Sequence, residues 1–198
     1  MQKKLIIIGT FLLSFTIAYS QPLESKTLEL SPNLGYSSAN VYRNILGSFN
    51  PRNSVRFGLM VDYYLDERWS IQSGLSFDPL GARILNSELK LNYLNAPINM
   101  NWHFGKTGRW NLNFGLSPGL LLEAENDQFE IIEEFNSLQL GFSCGIGHKI
   151  FLSKNLGIFI NWQGLFGFTS IFESEDFTTV NTAASINVGA ALALKPKG

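Results

Sequence analysis

The sequence is poor in the residues on which disulfide scaffolds, metal centres and nucleic-acid-binding proteins depend. Cys144 is the only cysteine, so an internal disulfide and a cysteine-based zinc site are both excluded. The chain has 15 Lys and Arg against 16 Asp and Glu, which offers no basic surface to a nucleic acid. Beyond residue 20, no apolar run reaches the roughly 20 residues that a transmembrane helix needs. The remaining length suits one domain that has no membrane-spanning helix.

The first residues have the pattern of an export signal. Two lysines precede an apolar run over residues 5–18, and Ala18 and Ser20 offer small side chains where a signal peptidase cleaves. The run is shorter than the about 20 residues of a transmembrane anchor, so a cleaved signal is favoured over an N-terminal anchor. We therefore predict a signal peptide at residues 1–20 and one domain over residues 21–198.

The rest of the chain alternates between apolar residues and small or polar ones, which is the pattern of β-strands. In residues 55–65 every odd position is apolar, whereas Arg56, Gly58 and Asp62 stand at even positions. Together with 18 glycines, this alternation predicts an all-β protein. Eight strands are predicted, at about 27–37, 55–65, 69–78, 89–104, 110–123, 137–151, 156–168 and 180–194. The phase of the alternation changes at Asn95-Ala96-Pro97, where we expect a β-bulge.

The polar face of these strands decides the class of β-protein. A soluble barrel or sandwich turns its polar face to water and carries many charged residues there. Here the polar face is mainly Gly, Ser, Asn and Gln, which suits a crowded, hydrogen-bonded barrel interior. The continuous apolar face then suits lipid. The fold predicted is an eight-stranded, antiparallel, up-and-down transmembrane β-barrel in the bacterial outer membrane, because only a closed barrel pairs every strand in lipid.

The predicted connections alternate between long and short ones. The long ones cover residues 38–53, 79–88, 124–136 and 169–179, and the short ones cover 66–68, 105–109 and 151–155. Outer-membrane barrels have long external loops and short periplasmic turns, so both termini are expected in the periplasm.

Aromatic residues gather near the strand ends, where membrane barrels place aromatic girdles. The predicted periplasmic girdle consists of Tyr63, Trp69, Trp102, Phe104, Trp110 and Phe151. The predicted external girdle consists of Tyr36, Phe77, Tyr93, Trp162 and Phe168.

Charged residues on the lumenal face predict an ion pair inside the barrel. If the turn at 66–68 closes a hairpin, Arg56 lies across from Asp78, and Lys90 is expected nearby. Such a pair could act as a gate or selectivity ring. We favour a structural role, because eight strands enclose a space that their own side chains fill.

Neither an enzyme nor a cofactor or metal site is expected. His103 and His148 are the only histidines, and the alternation places them on opposite faces of non-adjacent strands. A lone lumenal histidine is not a catalytic triad. The acidic loops 124–136 and 169–179 could hold a cation or a partner, but their spacing matches no calcium loop, so solvated loops are favoured.

Two segments carry a resemblance to a known family. Residues 91–100 contain the pattern Tyr-Leu-x-x-Pro, ending at Pro97, and residues 68–75 read Arg-Trp-Ser-Ile-Gln-Ser-Gly-Leu. With the eight alternating segments, they resemble the PorT-like outer-membrane β-barrel family of Bacteroidetes. The resemblance implies insertion by the outer-membrane assembly machinery, and some members of that family take part in type 9 secretion.

Three functions remain open at this point. The first is a membrane-embedded scaffold that contacts outer-membrane lipids and an unknown protein partner, through loops 38–53 and 124–136 especially. The second is a narrow porin-like channel for ions or small solutes. The third is an accessory, PorT-like role in protein secretion.

Overall fold

The computed structural model describes residues 25–43, 47–84, 87–126, 129–130, 135–172 and 178–194. The predicted signal peptide lies outside these residues. Within them, no helix has the length and apolar character required to cross a membrane.

The described residues form eleven β-strands in one antiparallel sheet. The strands are β1 (Leu28–Arg43), β2 (Gly47–Ser48), β3 (Asn50–Tyr64), β4 (Trp69–Ile84), β5 (Ser87–Asn95), β6 (Ile98–Phe104), β7 (Trp110–Asn126), β8 (Phe129–Glu130), β9 (Leu138–Phe151), β10 (Leu156–Gly167) and β11 (Thr179–Leu194). β5 and β6 together make one strand of the barrel wall, between β4 and β7. β2 and β8 are short additions to β1 and β7.

The sheet closes on itself through the pairing of β1 with β11, from Leu28 opposite Leu194 to Arg43 opposite Thr179. Closure leaves no unpaired edge in the ring. The predicted eight-stranded antiparallel barrel is confirmed.

The outer surface of the barrel is apolar over the strands that the sequence assigned to lipid. Leu34, Phe57 and Ile186 are each 55% exposed, although side chains of this kind are normally buried in a soluble protein. On the same strands the small and polar residues point inward; Asn187, for example, is buried. The prediction that the glycines, serines and asparagines face the lumen is confirmed for these strands.

The strands are longer than predicted at the end of the barrel that carries the long connections, which is called the external end after the predicted orientation; the end with the short turns is called the periplasmic end. β1 continues to Arg43 and β4 to Ile84, so much of the predicted loops 38–53 and 79–88 is strand. The added residues pair with neighbouring strands, β1 with β11 up to Arg43 and β4 with β5 up to Ile84.

The inward face changes character in this external part. Many of the side chains that point inward there are apolar and form one packed layer, here called the apolar plug, beside the buried polar residues Thr179 and Asn181. Its buried members are Ala39, Val41, Leu80, Ala82, Leu89, Leu91, Tyr93, Leu121, Ala124, Phe135 and Ile171. The lumen is therefore polar in its lower part and apolar in its upper part, a division that the sequence analysis did not predict.

The β-bulge predicted at Asn95-Ala96-Pro97 is absent, and that prediction was wrong. The register is continuous across Ala96 and Pro97 on both sides: Asn95 lies opposite Ser76 and Gly119, and Ile98 lies opposite Ser73 and Leu116. Odd-numbered residues therefore point inward in both β5 and β6. They are apolar in β5, which lies at the height of the plug, and polar in β6, so the sequence pattern changes although the pleat does not. Tyr93 is 0% exposed and lies in the plug, so its assignment to the external girdle was wrong.

A leucine in the plug should be more sensitive to truncation than one that faces lipid. Leu91→Ala leaves a cavity between packed neighbours, whereas lipid chains fill the space left by Leu75→Ala. We expect Leu91→Ala to lower the free energy of unfolding by about 1–2 kcal/mol more than Leu75→Ala, because of this cavity. Urea unfolding in phospholipid vesicles measures both. Equal destabilisation would contradict a tightly packed plug.

Candidate functional site: the barrel lumen

Below the plug, the lumen contains a cavity of about 90 Å³. Period-two alternation turns Asn, Ser and Gln side chains of most strands of the wall toward it, β3 contributes Arg56 and Asp62, and a few apolar residues, including Met60 and Phe159, complete the lining. A cavity of this size has room for a few water molecules at most, roughly one for each 15–30 Å³. The lumen is a small polar chamber and not an open pore.

Arg56 and Asp78 form an ion pair in the middle of this chamber. Arg56 Nε donates to Asp78 Oδ1 at 2.5 Å, and Arg56 Nη1 donates to Ser185 Oγ at 3.1 Å and to Asn187 Oδ1 at 3.2 Å. Asp78 Oδ2 also accepts hydrogen bonds from Ser76 and Asn95. Both charges are thus held by several partners, as a charge pair away from water requires.

Lys90 does not join this pair. It lies on the outer face of β5, where its Nζ is 3.4 Å from Glu125 Oε2 on β7. The prediction for Lys90 was wrong because it placed the apolar residues of this strand against lipid. In β5 the apolar residues belong to the plug, so Leu91 points inward and Lys90 points outward.

A chain of amides extends the network upward to the plug. Asn95 Oδ1 accepts from Gln139 Nε2 at 3.2 Å, and Gln139 Oε1 accepts from Asn181 Nδ2 at 3.0 Å. All three side chains are buried. Since Asn95 and Gln139 each donate and accept, and Asn181 donates, the chain fixes the inner positions of β5, β9 and β11 relative to one another.

A second ion pair closes the periplasmic end of the chamber. Lys149 Nζ on β9 donates to Glu29 Oε1 on β1 and, at 3.2 Å, to the Tyr64 hydroxyl. The ammonium also lies over the rings of Tyr64 and Phe151, at 5.9 and 5.8 Å from their centroids. The sequence analysis missed this pair. Its only sequence signal was a charged residue at an inward position in each of two distant strands.

His103 belongs to a network beside this pair. Ser70 Oγ donates to Asp62 Oδ1 and lies 2.9 Å from His103 Nε2, while the His103 ring stacks on Tyr64 with centroids 4.7 Å apart. Because the only proton of the Ser70 hydroxyl goes to Asp62, His103 Nε2 donates to Ser70 and cannot activate it as a base. The arrangement therefore differs from a Ser-His-Asp triad, in which the histidine lies between the other two residues.

His148 lies on the outer surface, against the ring of Trp110 at 4.6 Å between centroids. The two histidines thus point to opposite faces of the wall. Among the described residues, no group of three or more His, Cys, Asp or Glu could hold a metal ion. Most acidic residues of the predicted loops 124–136 and 169–179 lie outside the residues whose side chains are described. Just before the first of these loops, Glu123 accepts a hydrogen bond from Asn92.

Most of the residues predicted for the periplasmic girdle lie on the outer surface, near the short turns. Trp69, Trp102, Phe104 and Trp110 form a row of stacked rings, with successive centroids 6.2, 5.1 and 6.4 Å apart. Tyr63 is also exposed on this surface. Phe151 is the exception, and its assignment to the periplasmic girdle was wrong. It stands at an inward position of β9 and packs against Tyr64 and Ala193 at the mouth of the barrel.

The family described as the outer membrane protein beta-barrel domain matches residues 19–173. The chain belongs to this family. None of the curated proteins matches the sequence. The location of the protein is the bacterial outer membrane, where its apolar surface contacts lipid.

Solved outer-membrane barrels share this fold at low sequence identity. OprG from Pseudomonas aeruginosa has a TM-score of 0.55 at 9% identity, covering 87% of this chain and 98% of its own. AlkL, whose structure was determined in lipid bilayers, has a TM-score of 0.54 at 11% identity, covering 91% of this chain and 96% of its own. Neisserial surface protein A has a TM-score of 0.53 at 12% identity, covering 82% and 96%. At these identities the similarity extends to the fold alone.

Removal of one partner of the buried pair at the periplasmic end should be costly. Glu29→Gln leaves the Lys149 ammonium buried without its counter-charge, so we expect a loss of about 3–5 kcal/mol in the free energy of unfolding. The double variant Glu29→Gln/Lys149→Met should lose less than the sum of the two single variants, since the charges are coupled. Lys154→Met, in the exposed turn after β9, is the control and should change stability by less than about 0.5 kcal/mol. Strict additivity in unfolding measurements would argue against the pair.

Proposed function

We propose that this outer-membrane barrel is a non-conducting scaffold that presents a rigid external end to a partner. The observation that supports this function best is the apolar plug across the external part of the lumen. A scaffold needs no aqueous path, whereas a channel does.

Within the described residues, apolar side chains of the plug fill the external part of the barrel axis. Leu80 is 1% exposed and Leu91 and Tyr93 are 0% exposed, although all three point toward the axis. Phe135 and Ile171 reach in from the external connections, and the Asn136 N–H donates to the Ile171 carbonyl at 2.8 Å. An ion would have to shed its hydration shell to cross such an apolar constriction.

The external end is held together by polar contacts as well. Arg52 Nε is 3.4 Å from Glu88 Oε1, and the Asn136 amide donates to the carbonyls of Ser170 and Phe172 at 3.0 and 2.8 Å. The rings of Phe135 and Phe172 pack with centroids 4.7 Å apart. A binding surface built on such fixed elements loses little conformational freedom when a partner docks.

The porin-like channel is the second candidate. The polar chamber and the Arg56–Asp78 pair favour it, because charged rings of this kind select ions in pores. It would require displacement of the plug. The PorT-like role in secretion is a special case of the scaffold, in which the partner is a secretion component.

Conductance separates the scaffold from the channel. Refolded wild-type protein in a planar bilayer should give no discrete current steps, because the plug excludes hydrated ions. The double variant Leu80→Ser/Leu91→Ser, which makes the plug polar, should give measurable steps and shows that inserted protein is being observed. Stable steps from the wild-type protein would favour the channel instead.

Site-specific crosslinking tests for the partner. A photo-crosslinking amino acid in place of the exposed Arg83, at the external end of β4, should yield a discrete adduct in cells. The same amino acid in place of Lys154, in the exposed periplasmic turn, is the matched control and should not yield that adduct. Adducts from Lys154 alone, or from neither position, would contradict an external partner.

A further inference from the structure

The barrel wall contains an interruption of its hydrogen-bond ladder between β3 and β4. Pairing runs from Tyr64 opposite Ser70 up to Phe57 opposite Phe77, stops, and resumes only at Pro51 opposite Ala82. Five residues of β3, at 52–56, therefore face four of β4, at 78–81, without regular pairing. This is the widest interruption among the described strand pairs of the ring. β3 remains paired with β1 over the same stretch, so the interruption concerns one side of β3 only.

The local sequence accounts for the interruption. Pro79 stands in the middle of the unpaired part of β4 and has no N–H to donate to a ladder. The additional residue on β3 shifts the register by one, which is the definition of a bulge. Gly81 follows with φ of +112°, a conformation that residues with a side chain rarely adopt.

Side chains replace the missing ladder bonds. Arg52 Nη1 donates to the Leu80 carbonyl at 2.5 Å, and Ser54 Oγ donates to the Pro79 carbonyl at 3.1 Å. Lower down, the Arg56–Asp78 pair spans the same two strands. Irregular backbone at membrane depth is tolerated only where its polar groups are satisfied in this way. A hydrogen bond made by a side chain can break when that side chain changes rotamer. A backbone hydrogen bond of the ladder breaks only when the strand itself moves.

The interruption lies between lipid and the lumenal cavity. Arg56, Asp78 and Leu80 at the interruption also line the cavity. On the outer side, Val55 is 57% exposed on the apolar surface, and the stacked rings of Phe57 and Phe77 lie just below. Opening of the side-chain bonds would therefore connect the chamber with the membrane and not with either aqueous side.

We propose that this interruption is a lateral entrance, through which a small, neutral, amphipathic molecule passes between the outer membrane and the lumenal cavity. The lining defines the class of molecule. Both lumenal ion pairs are internally compensated, and the remaining carboxylate of the lining, Asp62, accepts hydrogen bonds from Ser70, Gln72 and Asn101, so each of these charged groups already has partners within the protein. Amide and hydroxyl groups mix with Met60, Phe159 and Leu165, a combination that suits a short apolar body with one or two hydrogen-bonding groups. This entrance is independent of the proposed scaffold role, since it needs no aqueous path.

Cysteine labelling in phospholipid vesicles tests the route. Ser37→Cys, in a Cys144→Ser background, places a thiol in the cavity wall, opposite Ser54 across the β1–β3 pairing. The probes are methyl methanethiosulfonate, which is neutral and partitions into lipid, and its trimethylammonium-ethyl analogue, which is charged, each present on both sides of the membrane. We expect the neutral probe to react at least tenfold faster at Ser37→Cys, after correction for its intrinsic reactivity.

Two further substitutions distinguish the lateral route from others. Ser54→Ala removes a bridging hydrogen bond and should raise the rate with the neutral probe roughly two- to tenfold, the range that one hydrogen bond supports. Thr182→Val is the matched control, because Thr182 Oγ1 also bonds a backbone carbonyl, that of Asn40 at 3.3 Å, but within a complete ladder. Its rate should be unchanged.

Three results would overturn the proposal: equal labelling rates for the charged and the neutral probe, no labelling by either probe, or equal changes of the labelling rate in Ser54→Ala and Thr182→Val. Ser117→Cys, in the cavity wall on β7, is a second reporter should Ser37→Cys not fold. Heat-modifiable migration on a gel verifies the fold of each variant.

Discussion

The structure depends on one constraint: a strand inside a bilayer has no water to satisfy its backbone, so each N–H and carbonyl must find a partner within the protein. The pairing of β1 with β11 meets this constraint by removing both edges of the sheet. Once the ring is closed, the pleat sends alternate side chains to lipid and to the lumen. The apolar surface, the crowded interior and the need for internal charge compensation all follow from closure.

The interior has a polar layer and an apolar layer, and the two are stabilised in different ways. Around Arg56 and Glu29, hydrogen bonds and ion pairs connect strands that are far apart in sequence. Around Leu91 and Tyr93, close packing of apolar side chains also connects strands that are far apart in sequence, but without directional bonds. The polar layer fixes unique partners, whereas the apolar layer excludes water. A barrel with both layers has contacts between distant strands along its whole height.

The sequence predicted the strand number, the membrane and most of the outward face, because these depend on a period-two pattern that local residues carry. It also brought Arg56 and Asp78 together, since a short turn at 66–68 determines the register of that hairpin. It failed at Lys90, Tyr93 and Phe151. Lys90 and Tyr93 were placed on the wrong faces because the apolar face of β5 is turned toward the plug and not toward lipid. Phe151 has the same inward parity as Gly147 and Lys149, but its place beside a turn suggested the girdle instead. The Glu29–Lys149 pair could not be predicted, because neither local pattern nor turn geometry relates residues 120 positions apart.

The position of the Glu29–Lys149 pair affects how the barrel closes and how it reopens. Glu29 lies on the first strand and Lys149 on the sixth strand of the wall, so hairpins formed one after another along the chain do not bring them together. They meet when the first and last strands join. A contact that exists only in the closed ring must break before the first and last strands can separate. Glu29 and Lys149 therefore oppose reopening of the barrel, which matters most for a protein that persists in the membrane long after its insertion.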